Sequence, residues 1–362
     1  MSNAIEHFSR TRVDDTTLQV MADTRQGLAR LIEEEQQVIR HYARLGNWPH
    51  KRVNMFVLEN LMPLVSQIKR ATSLSSVVAD DVDRRPMVNV YDAADLSECA
   101  VFVNRGVLEQ DGTWRDEVAL RALLAHEHGH PLAENETVHA ARELVMEVTE
   151  DSGMPKVAVD ILRLLADQVC LHAPQEVFAN EIAIRAGFGN ALFHLNSDAF
   201  ETARLGVRKR PSLVQSLDKQ VADGKLGADQ AAALLLVGDL QAHLGFALET
   251  AAFLRAGQPR HAKDLEGALN DGVWGHLDPA VKRLYEKLRD HYRRLKVNLT
   301  PAETKAWASQ AVAFLGDVLR EKNLPVRFNV VRTRAGPKRS RRPKSEPATG
   351  CDSVLDPKGG SP

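Results

Sequence analysis

Cysteine is scarce in this 362-residue chain: Cys99, Cys170 and Cys351 are widely spaced and odd in number. They make neither a disulfide framework nor a zinc knuckle, and such usage fits a reducing compartment. A secretory signal is also missing. The opening Met-Ser-Asn-Ala-Ile-Glu-His has no basic stretch followed by an apolar one. Long apolar runs are absent too, since the most apolar stretch, Ala231 to Val237, is far short of the roughly 20 residues that span a bilayer. These absences predict a cytoplasmic protein without a membrane span. Charge of one sign is lacking overall, at −1 net, but it is unevenly spread. From Arg332 onward eight Lys/Arg face three acids, so the tail carries +5 and the remainder −6. A mildly acidic body predicts no general affinity for nucleic acid. The tail has no interleaved aromatics, which limits it to weak electrostatic contacts.

What is present is a globular composition, 44% apolar and 26% charged. Residues 15–45 place Leu18, Met21, Leu28 and Leu31 at helical spacing after Asp14 and Asp15, and a second helical stretch is expected over 53–71. A loop is expected from Thr72 to Arg85. Two stretches read as strands: Pro86 to Tyr91, and Cys99 to Asn104, joined by an acidic link. Helices then follow at about 115–130, 135–150, 155–170 and 174–187, the last with Gly187 as C-cap. More are expected over 211–243, 247–255, 279–296 and 301–322, where Pro301-Ala-Glu-Thr is a good helix start. The expected fold is α+β and mainly helical. Its parts are a helical N-terminal segment (1–72), a core with a small sheet (86–210), a helical C-terminal region (211–331) and a disordered basic tail (332–362).

The run Ala-Leu-Leu-Ala-His-Glu-His-Gly-His, ending at His130, contains a His-Glu-x-x-His motif: His126, Glu127 and His130. Positions four apart share a helix face, so both imidazoles can meet one metal ion, with Glu127 beside the water it would deprotonate. Chance yields such a motif in roughly 3% of chains of this composition, so the neighbourhood has to decide. Leu120, Leu123 and Leu124 give an apolar stripe just before it. Gly129 costs a helix about 1 kcal/mol relative to Ala, which makes sense if something approaches the backbone closely there. His128 points to another side of the helix and reads as structural. His139 and Glu143, four apart, read as a surface pair.

A catalytic zinc needs three protein ligands and an open position. Two carboxylates compete for the third place. Glu150 lies twenty residues past His130, the spacing of thermolysin-like enzymes. Glu176 opens the run Glu-Val-Phe-Ala-Asn180, in which Glu176 and Asn180 share a face and Ala179 and Ala183 allow close packing against the motif helix. Asn180 could accept a hydrogen bond from a ligand imidazole and fix its tautomer. Glu176 has the stronger pattern, and Glu150 stays open.

Together, the strand Val88-Asn-Val-Tyr, the strand and turn Ala100-Val-Phe-Val-Asn-Arg-Gly-Val-Leu-Glu, the motif helix and Glu176-Val-Phe-Ala-Asn180 resemble the zinc endopeptidases related to CAAX prenyl proteases and the heat-shock membrane protease. The resemblance covers roughly residues 86–190. It implies a zincin-like core of gluzincin type holding one Zn2+ through His126, His130 and Glu176, with Glu127 as general base, acting on a protein or peptide substrate. The chain departs from that pattern in three ways. The usual Asp is Asn180, the membrane spans of several relatives are missing, and a later His that steadies the transition state is replaced by Arg208-Lys-Arg-Pro. Arg208, Arg210 and His194 are the candidates for that duty. An extended substrate is expected to pair with a free strand edge, Cys99 to Asn104 being the leading candidate. The competing reading is a regulatory or scaffolding protein on a degenerate metalloprotease fold that keeps zinc for structure.

Overall fold

Burial alternates along the first part of the chain with a period of two, and that period builds a sheet. In the computed structural model, which describes residues 5–64, 85–150, 154–324 and 326–333, β1 (His7–Val13) turns back through Asp14 and Asp15 into β2 (Thr16–Ala22). Asp14 adopts φ 51 in this tight turn. Thr16, Leu18, Val20 and Ala22 point into the core. Helix α1 (Leu28–Arg44) crosses to β3 (Arg52–Leu58), which lies parallel to β2 and buries Val53, Met55 and Val57. The hairpin β4 (Met87–Asp92) and β5 (Asp95–Asn104) completes a five-stranded mixed sheet in the order β1-β2-β3-β5-β4.

The helical N-terminal segment expected over 1–72 is therefore corrected. Leu18 and Met21, three apart, imitate a helical stripe, yet the buried set is Leu18, Val20 and Ala22 while Met21 is only half-buried. The true helix begins at Leu28, where Leu28, Leu31, Glu35, Val38, Ile39 and Tyr42 fall on one buried face. The helix expected from residue 53 starts instead as β3. Its end from residue 65, like the expected loop over 72–84, lies outside the described residues.

Helices dominate the rest: α2 (Arg105–Gln110), α3 (Glu117–Leu132), α4 (Glu136–Arg142), α5 (Lys156–Ala166), α6 (Ala173–Ala183), α7 (Gly189–Ala222), α8 (Ala228–His243), α9 (Gly245–Arg255), α10 (Pro259–Gly272), α11 (Pro279–Arg293) and α12 (Pro301–Glu321). The helix expected over 135–150 ends at Arg142. Leu144–Glu150 is a strand, β6, antiparallel to β7 (Val326–Arg332). Leu144 and Met146 are buried while Val145 and Glu147 are exposed, a strand's alternation. β7 also corrects the all-helical reading of 211–331. The expected boundary at 210 is not one of packing, because a single apolar cluster runs from Leu144 and Val177 through Leu240 and Leu284 to Val330. The tail from residue 334 lies outside the described residues.

Residues Ala228–Arg255 are long and apolar enough to cross a membrane by length and composition, which the shorter run at 231–237 did not suggest. Here they form two helices, α8 and α9, and 56% of their most apolar window is buried inside the protein.

Candidate metal centre

The motif helix is fixed at both ends and on both sides. At its start the Asp116 carboxylate accepts from Val118 N at 2.9 Å and Ala119 N at 3.0 Å, satisfying two of the free amides of the first turn. On the sheet side Tyr42 Oη donates to Ala125 O at 2.8 Å, and Arg121 forms a two-pronged pair with Glu34 at 2.6 and 3.0 Å. Near its end stands Pro131, which has no N–H to give the carbonyl four residues back. That carbonyl belongs to Glu127, and Asn89 Nδ2 of β4 takes the empty place at 3.2 Å.

Gly129 explains how Glu176 comes so close to the two histidines. A Cβ there would stand 2.6 Å from Ala179 O, so only glycine lets α3 lie against the backbone of α6. The expectation of a close approach, with Ala179 as the small partner, is met. Two π-helical turns, Asp167–His172 and Ile184–Phe188, flank α6, and Gly187 leaves the second at φ 99. They re-aim the chain on either side of the helix that carries Glu176.

One donor atom each from His126, His130 and Glu176 lies within 4.8 Å of the others. His126 Nε2 is 3.2 Å and His130 Nε2 4.0 Å from Glu176 Oε2. The two rings meet edge to face, their planes 78° apart. A tetrahedral zinc with bonds of about 2.0–2.1 Å requires donors about 3.3 Å apart, close to the 3.2 and 4.0 Å that separate the two imidazoles from Glu176 Oε2. His126 Nδ1 donates to Asn180 Oδ1 at 2.7 Å, which leaves Nε2 for the metal. Asn180 Nδ2 passes on to Glu249 Oε2 at 3.0 Å, and Asn196 supports the same oxygen at 3.3 Å. The carboxylate absent at position 180 is thus present one hydrogen bond further out.

Without a metal, these groups share charge among themselves. Burial opposes protonation of His126, but the hydrogen bond and charge of Glu176, with Glu127 and Glu249, push it up to about 9. Burial pulls His130 down to about 3; the positive charges of His126, Arg85 and Arg142 add to this, against the pull of Glu176. Burial works against ionisation of Glu176, yet the two imidazoles and Arg85 hold its carboxyl well below the ordinary range. Glu127 is only 6% exposed, and burial raises its carboxyl above the usual value. Its Oε2 accepts from Asn89 N at 2.9 Å, which orients the carboxylate.

The other sequence candidates fall elsewhere. Glu150 ends β6, opposite Val326, and the described carboxylate that joins the two histidines is Glu176. His194 bonds to Asp116 at 2.7 Å, at the start of α3 and about 15 Å of helix from His126. Arg208 is exposed on α7. Arg210 is bound by Asp239 at 2.9 Å. His139 bonds to Glu134 at 2.6 Å, and Glu143 accepts from Arg332 at 2.9 Å. Strand β5 lies between β3 and β4, which corrects its expected role as a free edge; among the described residues β4 is the edge nearest Glu127.

A cavity of about 1380 Å³ opens beside the group, with Arg85, Glu176, Asn196, Arg210, Phe246 and Glu249 in its walls. The C-terminal helices therefore help to build the site. Glu249, Asn89 and Arg85, whose Nη1 is 3.4 Å from Glu176 Oε1, were missed by sequence reasoning. Each lies far along the chain from its partner, and no local pattern marks it. No family model matches the chain, and neither does any curated protein or solved structure.

Proposed function

We propose that the chain is a zinc-dependent endopeptidase of gluzincin type, similar in its ligand set to the relatives of CAAX prenyl proteases and the heat-shock membrane protease. The observation that carries this reading is the convergence of His126, His130 and Glu176 donor atoms within 4.8 Å beside a buried carboxylate, Glu127. Zinc, held by these three side chains, would supply Lewis acidity and lower the pKa of water there to roughly 7.

The chain's own residues perform the remaining work. Glu127, oriented by Asn89 and made more basic by burial, accepts the proton of the attacking water and returns it to the leaving amine. Arg85 replaces Arg208, Arg210 and His194 as the cation that faces charge building on the scissile carbonyl, because it alone of the four contacts a ligand carboxylate at the cavity wall. An extended substrate pairs along β4 and runs into the cavity. Free, buried Cys99 and Cys170 suit the cytoplasm. A purely structural zinc, as in a scaffold, would have no use for a buried and oriented carboxylate next to the first ligand.

The test is cleavage of an unstructured polypeptide such as casein. Wild type should cleave it, lose activity to a chelator and regain it with zinc, whereas Glu127→Gln should keep zinc and fall by at least about 10²-fold. Undiminished cleavage by Glu127→Gln would sink the mechanism.

A further inference from the structure

His128 lies two residues from each ligand of the candidate centre, about 200° around the helix from both, and so faces the opposite way. It is fully buried, and it meets two other buried groups: His50, just before β3, and Cys99 on β5. One potential ligand atom from each of the three lies within 4.8 Å of the others. Glu35 of α1, also fully buried, accepts from His128 Nε2 at 2.8 Å.

The hydrogen bonds here leave particular lone pairs unused. A carbonyl can only accept, so His50 Nδ1 donates to Leu96 O at 2.6 Å, and His50 Nε2 is the ring's acceptor atom. That atom has no partner among the described residues, and neither has Glu35 Oε2. His128, with Nε2–H given to Glu35, has its lone pair on Nδ1, met only by a long contact from Asn89 Nδ2 at 3.4 Å. Buried acceptors without donors are rare, and each asks for an explanation. Two of them sit around a thiol in one dry place. Trp48 walls the cluster, its ring 4.9 Å from that of His50 and 4.8 Å from that of His128. Burial holds His50 down at about 4, so the imidazole is neutral near pH 7 and ready to ligate.

We propose that His50, Cys99 and His128 bind a second metal ion of the zinc class, with Glu35 holding the Nε2–H of His128 so that its Nδ1 faces the ion. Thiolate with imidazole is a zinc donor set, and three buried protein ligands away from the cavity make a structural site, not a catalytic one. Metal entry releases the Cys99 thiol proton to solvent, and no redox partner is needed. The ion would tie the chain before β3, strand β5 and helix α3 at one point, and Glu35 joins α1 to it through His128. Asn89, whose Nδ2 stands 3.4 Å from His128 Nδ1 and whose backbone N–H donates to Glu127 Oε2 at 2.9 Å, links that point to the Glu127 carboxylate. This inference does not depend on the peptidase reading.

Cobalt(II) separates the two sites, because only the second contains sulfur. Metal-free full-length protein loaded with cobalt(II) should show an intense thiolate-to-metal charge-transfer band in the near ultraviolet. The band should vanish in Cys99→Ala and persist in Cys170→Ala and Cys351→Ala. It should also persist in the His126→Ala/His130→Ala double variant, even if the catalytic reading fails. Zinc content should fall by one ion per chain in Cys99→Ala and remain at one or more in the double variant. Cobalt-loaded wild type without the band overturns the proposal, a result that needs no variant to fold. Loss of the band in Cys170→Ala or Cys351→Ala instead of Cys99→Ala also overturns it.

Discussion

Gly129→Ala is a one-carbon change whose effect can be worked from the packing. The added Cβ would stand 2.6 Å from Ala179 O, while real Cβ atoms essentially never come closer than 3.0 Å to a neighbour and ordinary contact begins at 3.4 Å. Both sides are helix backbone, so no flexible side chain can swing away. Helices α3 and α6 must separate by about 0.4 to 0.8 Å. Overpacking of this kind costs about 1–3 kcal/mol, and the gain in helix propensity returns about 1 kcal/mol. The net loss in stability is therefore modest, at most about 2 kcal/mol. The centre suffers more. Zinc sites tolerate about 0.2 Å in ligand distance, and Glu176 rides on α6 while His126 and His130 ride on α3. We expect a fall in zinc affinity of at least about tenfold, measured by competition with a chromophoric chelator, beside a small shift in the urea midpoint of the metal-free protein. Unchanged zinc affinity in a folded Gly129→Ala protein would refute the argument that this contact sets the ligand geometry.

Other outcomes follow from the same geometry. Asn180→Asp sets a second buried carboxylate against Glu249 and removes the amide that bonds it, so zinc binding should weaken roughly 10- to 100-fold. Adding Glu249→Gln should restore it; failure to do so would show that Glu249 does not act through position 180. In the metal-free protein His126 is held up at about 9, so zinc must displace its proton near neutral pH. Apparent affinity should rise about tenfold per pH unit from 7 until near pH 9 and then level, with one proton released in weakly buffered titrations. The same shift acts on the metal-free fold. Its folded value lies above the unfolded one of about 6.5, so His126 stabilises the fold below that pH and the contribution fades as pH rises through about 9. A flat zinc affinity over this range would contradict the assignment. Arg85→Ala should retain zinc and lower kcat by roughly 10²–10³-fold. If KM alone changes, Arg85 binds substrate and does not steady the transition state.

Parts of this molecule were plain in the sequence because their signals are local. His126, Glu127 and His130 occupy one helical turn, and the Glu176–Asn180 pair shares another. The cost of Gly129 within a helix announced the close approach, and the small Ala179 in the Glu176 run announced its partner. The hairpin β4–β5 was legible from its β-branched alternation. What was hidden depends on distance along the chain. β6 finds its partner β7 more than 170 residues later, and nothing local separates Leu144–Glu150 from a helix end. Helical and strand periods overlap where a strand is short, and Leu18 with Met21 satisfied the wrong one. Glu249 and Asn89 reach the site from elements whose own patterns report only their packing. His128 was rightly read as facing away from the ligands; its company there, His50, Cys99 and Glu35, comes from three other elements and could not be read from the motif.

The most direct test of the central claim is anomalous diffraction at the zinc edge from crystals of the zinc-loaded protein. The account predicts a peak within about 2.0–2.2 Å of His126 Nε2, His130 Nε2 and one Glu176 carboxylate oxygen. A fully loaded crystal with no peak at that position, or with Glu150 in place of Glu176 as its ligand, would contradict it.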